Sequence, residues 1–192
     1  MVALLGIVGL AGIPAASADT IIPIHWTVNA STHLKSLNMD VTVPPGTFDG
    51  EVNLTTGALT GNLSLPSATQ KISILGIPLA SATFALKSNG PITGHVDLAA
   101  GTVSVAASFT FNITNASAAI LPKLNIVGNN CHGSQPITQN LTGPVNLTGA
   151  STFSSSFTIP KFAGCGLVTP LLNLIIPGSG NTFTVTFAPP AA

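Results

Sequence analysis

The sequence is poor in charged residues and lacks several side chains on which enzymes commonly depend. Of its 192 residues only 5% are charged, the formal net charge is zero, and Tyr is absent. Every basic residue is a lysine, and the lysines are scattered: Lys35, Lys71, Lys87, Lys123 and Lys161. Scattered lysines form no basic patch, which argues against a nucleic-acid partner. Without Arg or Tyr, groups that stabilise a charged transition state are scarce, so we predict a protein that is not an enzyme.

No familiar catalytic or metal-binding spacing is present. The sequence lacks G-x-S-x-G, H-E-x-x-H and C-x-x-C motifs. His95 and Asp97 share one predicted strand face, but the related segments place Glu51 and Pro144 at the position of His95. A position that accepts Glu, His and Pro is typical of an exposed strand. We therefore predict no catalytic residue, no metal site and no cofactor.

The N-terminal segment has the features of a secretory signal peptide, although no Lys or Arg precedes its apolar run. The run Val2–Ile13 is too short to span a bilayer, and Ala16-Ser17-Ala18 forms an A-x-A cleavage box. We predict cleavage after Ala18. Residues 19–192 then form a single secreted all-β domain without a transmembrane helix.

Cysteine usage points to an oxidising compartment. Cys131 and Cys165 are the two cysteines of the chain, and an even count in an exported protein predicts a disulfide. The disulfide would close a loop of 34 residues between Cys131 and Cys165. Closing such a loop is expected to stabilise the fold by about 3–4 kcal/mol.

One phrase occurs three times along the chain. Its copies are GEVNLTTGALTGNLSL (50–65), GHVDLAAGTVSVAASFTF (94–111) and GPVNLTGASTFSSSFTI (143–159). After Gly57, Gly101 and Gly149 the large apolar residues lie at even offsets, and Ser, Thr or Asn occupy most intervening positions. A period of two predicts a strand with one buried face.

Each copy of the phrase is predicted to be a β-hairpin. Thr55-Thr56-Gly57 and Ala99-Ala100-Gly101 match a type I turn closed by a left-handed glycine. In the third copy the connection Thr148-Gly149 is one residue shorter, so its turn must differ.

Further segments alternate in the same way. They predict strands over 24–28, 37–43, 71–75, 80–86, 123–127 and 182–187. For 167–176, a helix with Pro170 in its first turn and a buried strand are both open. We predict an all-β antiparallel sandwich or barrel, built with three related hairpins and closed by one disulfide. Alternation does not separate the two architectures, because both give each strand one apolar face.

Several phrases resemble a group of exported β-rich proteins of actinobacteria. They are FDGEVNLTTGALTGNLSLP (48–66), LTGPVNLTG (141–149), FTIPKFAGCG (157–166) and TPLLNLIIPGSGNTFTVTF (169–187). The resemblance implies export and an all-β fold. It supplies no activity and no functional residues.

Low charge, hydroxyl-rich strand faces and the predicted signal peptide favour a non-catalytic role in the cell envelope or extracellular space. Surface association, adhesion or assembly would suit such a protein, with itself or envelope components as partners. The alternative is a carrier that holds a lipid or another apolar ligand in a β-barrel cavity. A second alternative is an envelope pore, which the lack of aromatic girdles disfavours.

Overall fold

The computed structural model describes residues 18–74 and 77–190. The predicted signal peptide lies outside these residues except for Ala18. Within the described residues the chain forms β-strands, one short α-helix and two 3-10 turns. The strands are β1 (Ile21–Leu34), β2 (Met39–Asn53), β3 (Ala58–Ser64), β4 (Ala68–Ile74), β5 (Ile77–Ser88), β6 (Ile92–Asp97), β7 (Thr102–Ala118), β8 (Cys131–Gly133), β9 (Ile137–Pro144), β10 (Ser151–Ile159), β11 (Phe162–Ala163) and β12 (Gly178–Ala188).

The twelve strands of the described residues belong to one sheet and pair antiparallel throughout, so the predicted antiparallel all-β fold is confirmed. Its main path runs β10-β12-β1-β2-β3-β6-β7-β5-β4. The long strand β7 makes this path possible, because its first half pairs with β6 and β9 while its second half pairs with β5 and β8. Strand β11 extends the sheet beyond β8. The sheet is not closed into a barrel.

The first two copies of the repeated phrase are the hairpins β2–β3 and β6–β7. Asn53 and Asp97 cap their turns, each accepting hydrogen bonds at Oδ1 from backbone N–H groups two and three residues later, at 2.9–3.0 Å. Gly57 and Gly101 follow with φ of 75° and 64°. Only glycine adopts such angles without a steric penalty, so the predicted left-handed turn closure is confirmed.

The third copy has a different turn and a different pairing. Asn146 Oδ1 accepts a hydrogen bond from the Thr148 N–H at 3.1 Å, so the cap is retained in the shorter connection. Only Gly143 and Pro144 of its first arm lie in a strand, the end of β9, whereas its second arm is β10. Strands β9 and β10 contact each other, but β9 pairs with β7 and β10 pairs with β12. Between them, Ser155 Oγ donates a hydrogen bond to Gln139 Oε1. These two neighbouring strands therefore meet in a seam.

The buried faces of the strands meet in two clusters. The inner core includes Val28, Phe48, Val96, Phe109 and Val185. The disulfide core surrounds the two cysteines and includes Leu34, Phe111, Ile113, Val127 and Phe162. Leu86 and Phe157 pack against both clusters, so the apolar interior is continuous.

The predicted strand over 123–127 is wrong. This segment is part of the connection between β7 and β8, and its backbone is held by a side chain. Asn125 Oδ1 accepts from the Ala116 and Val127 N–H groups at 3.2 and 3.3 Å, and its Nδ2 donates to the Gly128 carbonyl at 2.9 Å. The amide thus takes the place of ladder bonds, while the buried Val127 produces the apolar signal.

Of the two structures predicted for 167–176, a helix and a buried strand, the helix is correct. A 3-10 turn (Gly166–Val168) leads into helix α1 (Thr169–Ile175). Pro170 lies in the first turn, where its missing N–H removes no helical hydrogen bond.

Candidate functional site

The histidines and acids that a catalytic or metal site would need are dispersed. His25 pairs with Asp49 and His33 with Asp40, in both cases across the β1–β2 ladder. The His33 Nδ1 to Asp40 Oδ1 distance is 2.7 Å, and Asp97 is occupied as a turn cap. Among the described residues no three His, Cys, Asp or Glu side chains come together as a metal site. Exposed cross-strand pairs of this kind contribute little stability.

The predicted disulfide is confirmed, and its surroundings are informative. Cys131 and Cys165 are bonded and buried in the disulfide core. Cys131 begins β8, and Cys165 follows β11 and precedes the 3-10 turn that starts at Gly166. Because β8 and β11 are neighbours in the sheet, the disulfide joins the end of one long connection, 119–130, to the start of another, 166–177.

These two connections expose large aliphatic side chains. Leu167, Ile120 and Leu174 are 100%, 86% and 84% exposed, and four further side chains are about half exposed. We call this group the apolar tip. Its members are Ile120, Leu121, Leu124, Leu167, Leu171, Leu174 and Ile175. Single exposed aliphatic residues are ordinary, whereas a group on adjoining segments is typical of an interaction site.

The apolar tip is held in place from beneath. Val168 and Leu172, one helical turn apart, pack against the disulfide core, and Ile176 is buried in it. Asn173 accepts the Phe162 N–H at 2.6 Å and donates to the Phe162 carbonyl at 3.0 Å. The inward face of α1, with the residues that flank it, therefore supplies all the apolar side chains with which this segment packs on the disulfide core. Its outward face, where polar residues are usual, carries leucines instead.

Charge is distributed unevenly between the two halves of the chain. Residues 98–192 contain two lysines and no Asp or Glu, whereas all five acids lie within 19–97. Lys123 lies inside the first exposed connection, and Lys161 directly precedes β11; both are exposed. The strands that carry the apolar tip, β7, β8 and β11, therefore add no negative charge to it.

Three small apolar cavities follow one another through the interior. The first, about 50 Å³, is lined by Trp26, Phe48 and Phe153 among others. The second, about 40 Å³, shares Phe109 and Gln139 with the first. The third, about 30 Å³, shares its boundary with the second at Leu65, Leu86 and Phe111. Each is far below the roughly 300 Å³ of a typical small-molecule pocket.

A larger polar groove of about 390 Å³ crosses the outer face of β5, β7 and β8. Its side chains include Lys87, Asn89 and His132. Asn89 Oδ1 already accepts from Thr110 Oγ1 at 2.9 Å, and His132 Nδ1 lies 2.8 Å from the Asn130 carbonyl. These partners make the groove an ordinary polar sheet face.

The exposure of the apolar tip was not predicted from the sequence. The crowding of leucines over 167–176 is visible there, but it is equally typical of a buried strand. Residues 167–176 contain no charged side chain that would mark an outward face, so no signal in the sequence separates these leucines from ordinary core.

Comparison with known proteins finds no relative of this chain: no family model, no curated protein and no solved structure matches it. The resemblance to exported proteins of actinobacteria therefore stays a prediction. Among the described residues, no helix is long and apolar enough to cross a membrane.

Proposed function

We propose that this chain is a non-catalytic protein of the cell envelope or extracellular space, and that it associates with a surface through the apolar tip. The observation that carries the proposal is the exposure of Leu167, Leu174 and Ile120 on two connections tied by a disulfide. Exposing aliphatic surface to water is unfavourable, so such a group gains free energy when another surface covers it.

Two further features support an extracellular setting. Disulfides persist where thiols are not kept reduced, and this one is buried within the fold. The outer sheet face carries hydroxyl groups in place of charges, and these groups hydrogen-bond to one another across neighbouring strands. Thr152 bonds to Thr186 at 2.8 Å, and Ser154 bonds to Thr184 at 3.0 Å. These hydroxyl pairs leave the outer face of β10 and β12 polar, so the apolar tip stands apart from it.

Serine substitution in the apolar tip should release the protein from the cell surface. For the double variant Leu167→Ser and Leu174→Ser, produced in the native host, we expect the cell-bound fraction to fall about tenfold or more relative to the medium. The reason is that two side chains lose the apolar surface that docking would bury. Quantitative immunoblotting of washed cells and culture medium measures the ratio.

Leu98 and Leu147 provide the matched control for that experiment. Both are partly exposed leucines beside the turns that precede β7 and β10, at the other end of β7 from the apolar tip. Changing both to serine should leave the cell-bound fraction unchanged. An equal loss in the two double variants, or no loss in either, would contradict the proposal.

An apolar-ligand carrier is the second candidate, favoured by the row of apolar cavities. The buried Gln139 lines the first two cavities and bonds to Ser155 across the β9–β10 seam. Because the strands of this seam share no ladder, it is where the sheet could part to admit a ligand. The cavities would have to widen greatly, which makes this candidate the weaker of the two.

Native mass spectrometry tests the carrier directly. The protein spanning 19–192 would be purified from its own host without detergent. A carrier should show a bound mass that disappears on denaturation and extracts as lipid. A bare chain, lighter by two hydrogens because of the disulfide, would contradict the carrier and leave surface association ahead.

The pore alternative receives no support from the side-chain orientation. A membrane-spanning barrel turns its apolar side chains outward, towards lipid. Here the large apolar residues of the strands face the two core clusters, and Thr152, Ser154 and Ser156 face outward from β10.

A further inference from the structure

We infer that the surface bound by the apolar tip is an anionic lipid bilayer, into whose interface the exposed leucines insert. This inference rests on the proposed surface association and names its partner. It is carried by three features of the two connections and the strands beside them: protruding aliphatic side chains, exposed lysines, and the absence of acids from β7, β8 and β11.

The shape of the apolar tip suits a fluid interface. Leu167 is fully exposed in the turn before α1, and Leu174 is 84% exposed on the helix itself. These side chains project individually from a short helix and a loop. Interfacial segments of membrane-bound proteins bury such side chains at the boundary between headgroups and acyl chains, where no complementary pocket is needed.

The charges near the apolar tip favour anionic lipid. Lys123 lies between Leu121 and Leu124, and Lys161 lies four residues before Cys165. Both lysines are exposed, and no acid occurs on the strands that carry the tip. Lysines that flank an inserted apolar segment lie at the headgroups, where negative surface potential attracts them. Lys123 lies on the connection that ends at Cys131, and Lys161 directly precedes β11, which is followed by Cys165.

A second copy of this chain fits the apolar tip less well. A two-fold contact through the tip would bring Lys123 and Lys161 of both copies to one interface with no acid from these strands to compensate them. Protein interfaces also concentrate Tyr, Trp and Phe at their centre, and the apolar tip is entirely Leu and Ile. Both observations favour lipid over a protein partner.

The apolar tip is also preorganised for docking. Asn173 and the disulfide hold the two connections against the sheet before any partner arrives. A rigid binding element loses little conformational entropy on docking, so more of the gain from burying leucine remains as affinity.

Vesicle sedimentation tests the inference. The oxidised protein spanning 19–192 would be mixed with sucrose-loaded vesicles of pure phosphatidylcholine, or of phosphatidylcholine with about 30% phosphatidylglycerol. We expect binding to the phosphatidylglycerol vesicles that exceeds binding to neutral ones about tenfold, because two lysines contribute. Raising the salt from about 0.05 M to about 0.5 M should remove most of that preference.

Two pairs of substitutions separate the contributions. Leu167→Ser with Leu174→Ser should lower binding to both vesicle types by about tenfold or more. Lys123→Gln with Lys161→Gln should abolish the preference for phosphatidylglycerol and leave the weak neutral binding intact. Leu98→Ser with Leu147→Ser is the control and should bind as the parent does. All the substituted positions are exposed or partly exposed, and thermal unfolding followed by circular dichroism checks that each variant is folded.

The possible failures are distinguishable. If the parent stays in the supernatant with both vesicle types while washed cells still retain it through the apolar tip, the lipid assignment is overturned and surface association stands. If neither cells nor vesicles retain it, both proposals fail. Light scattering that shows a dimer, dissociated by Leu167→Ser with Leu174→Ser, would overturn the lipid assignment in favour of self-association.

Discussion

Replacing Phe111 with alanine is expected to destabilise the folded chain by about 3–5 kcal/mol. Phe111 is buried in the disulfide core at the middle of β7, with ring centroids 5.5 Å from Phe84 and 5.8 Å from Phe162. It thereby connects the side chains of β5, β7 and β11. It also lines two of the interior cavities, so its truncation would enlarge space that is already incompletely filled.

Urea denaturation followed by circular dichroism measures this effect as a lower midpoint at an unchanged slope. Phe111→Leu is the matched variant, since it keeps most of the volume and should cost roughly 1 kcal/mol. A loss below about 1 kcal/mol for Phe111→Ala would mean that the packing around β7 is not what stabilises the disulfide core.

Reduction of the Cys131–Cys165 disulfide is expected to lower Tm by roughly 10 °C. The bond closes a 34-residue separation and joins the β7–β8 connection to the segment that leads into α1. Reduction restores conformational freedom to the unfolded chain. The free energy of unfolding therefore falls by about 3–4 kcal/mol. It also removes the covalent link between the two connections that carry the apolar tip.

Differential scanning calorimetry with and without dithiothreitol gives the shift. The double variant Cys131→Ala with Cys165→Ala is the matched control, because its Tm should be low already and insensitive to dithiothreitol. A parent protein whose melting is unchanged, after thiol titration has shown both cysteines reduced, would refute the expected stabilisation.

Much of the local structure follows from short-range sequence patterns. Alternation after Gly57 and Gly101 depends only on which face of a strand is buried, and the left-handed turns depend only on glycine at one position. The disulfide followed from counting two cysteines in a chain expected to be exported. Each of these inferences uses information that lies within one element or in the composition.

Strand pairing could not be predicted in the same way. The strands on either side of the third turn, β9 and β10, pair with β7 and β12, because partner choice depends on contacts between distant parts of the chain. The segment 123–127 carries an apolar pattern, but the Asn125 amide satisfies the neighbouring backbone groups and no ladder forms. Alternation reports which face is apolar, and it contains no information about which strand lies alongside.

The sequence by itself determined that this protein is an antiparallel β-structure with hydroxyl-rich faces, glycine-closed turns and one disulfide. Only the tertiary structure decided that the leucines around Leu171 lie outside the core. The helix α1 has one inward face, and Val168, Leu172 and Ile176 already fill the space beneath it. Leu167 and Leu174 are therefore left in solvent.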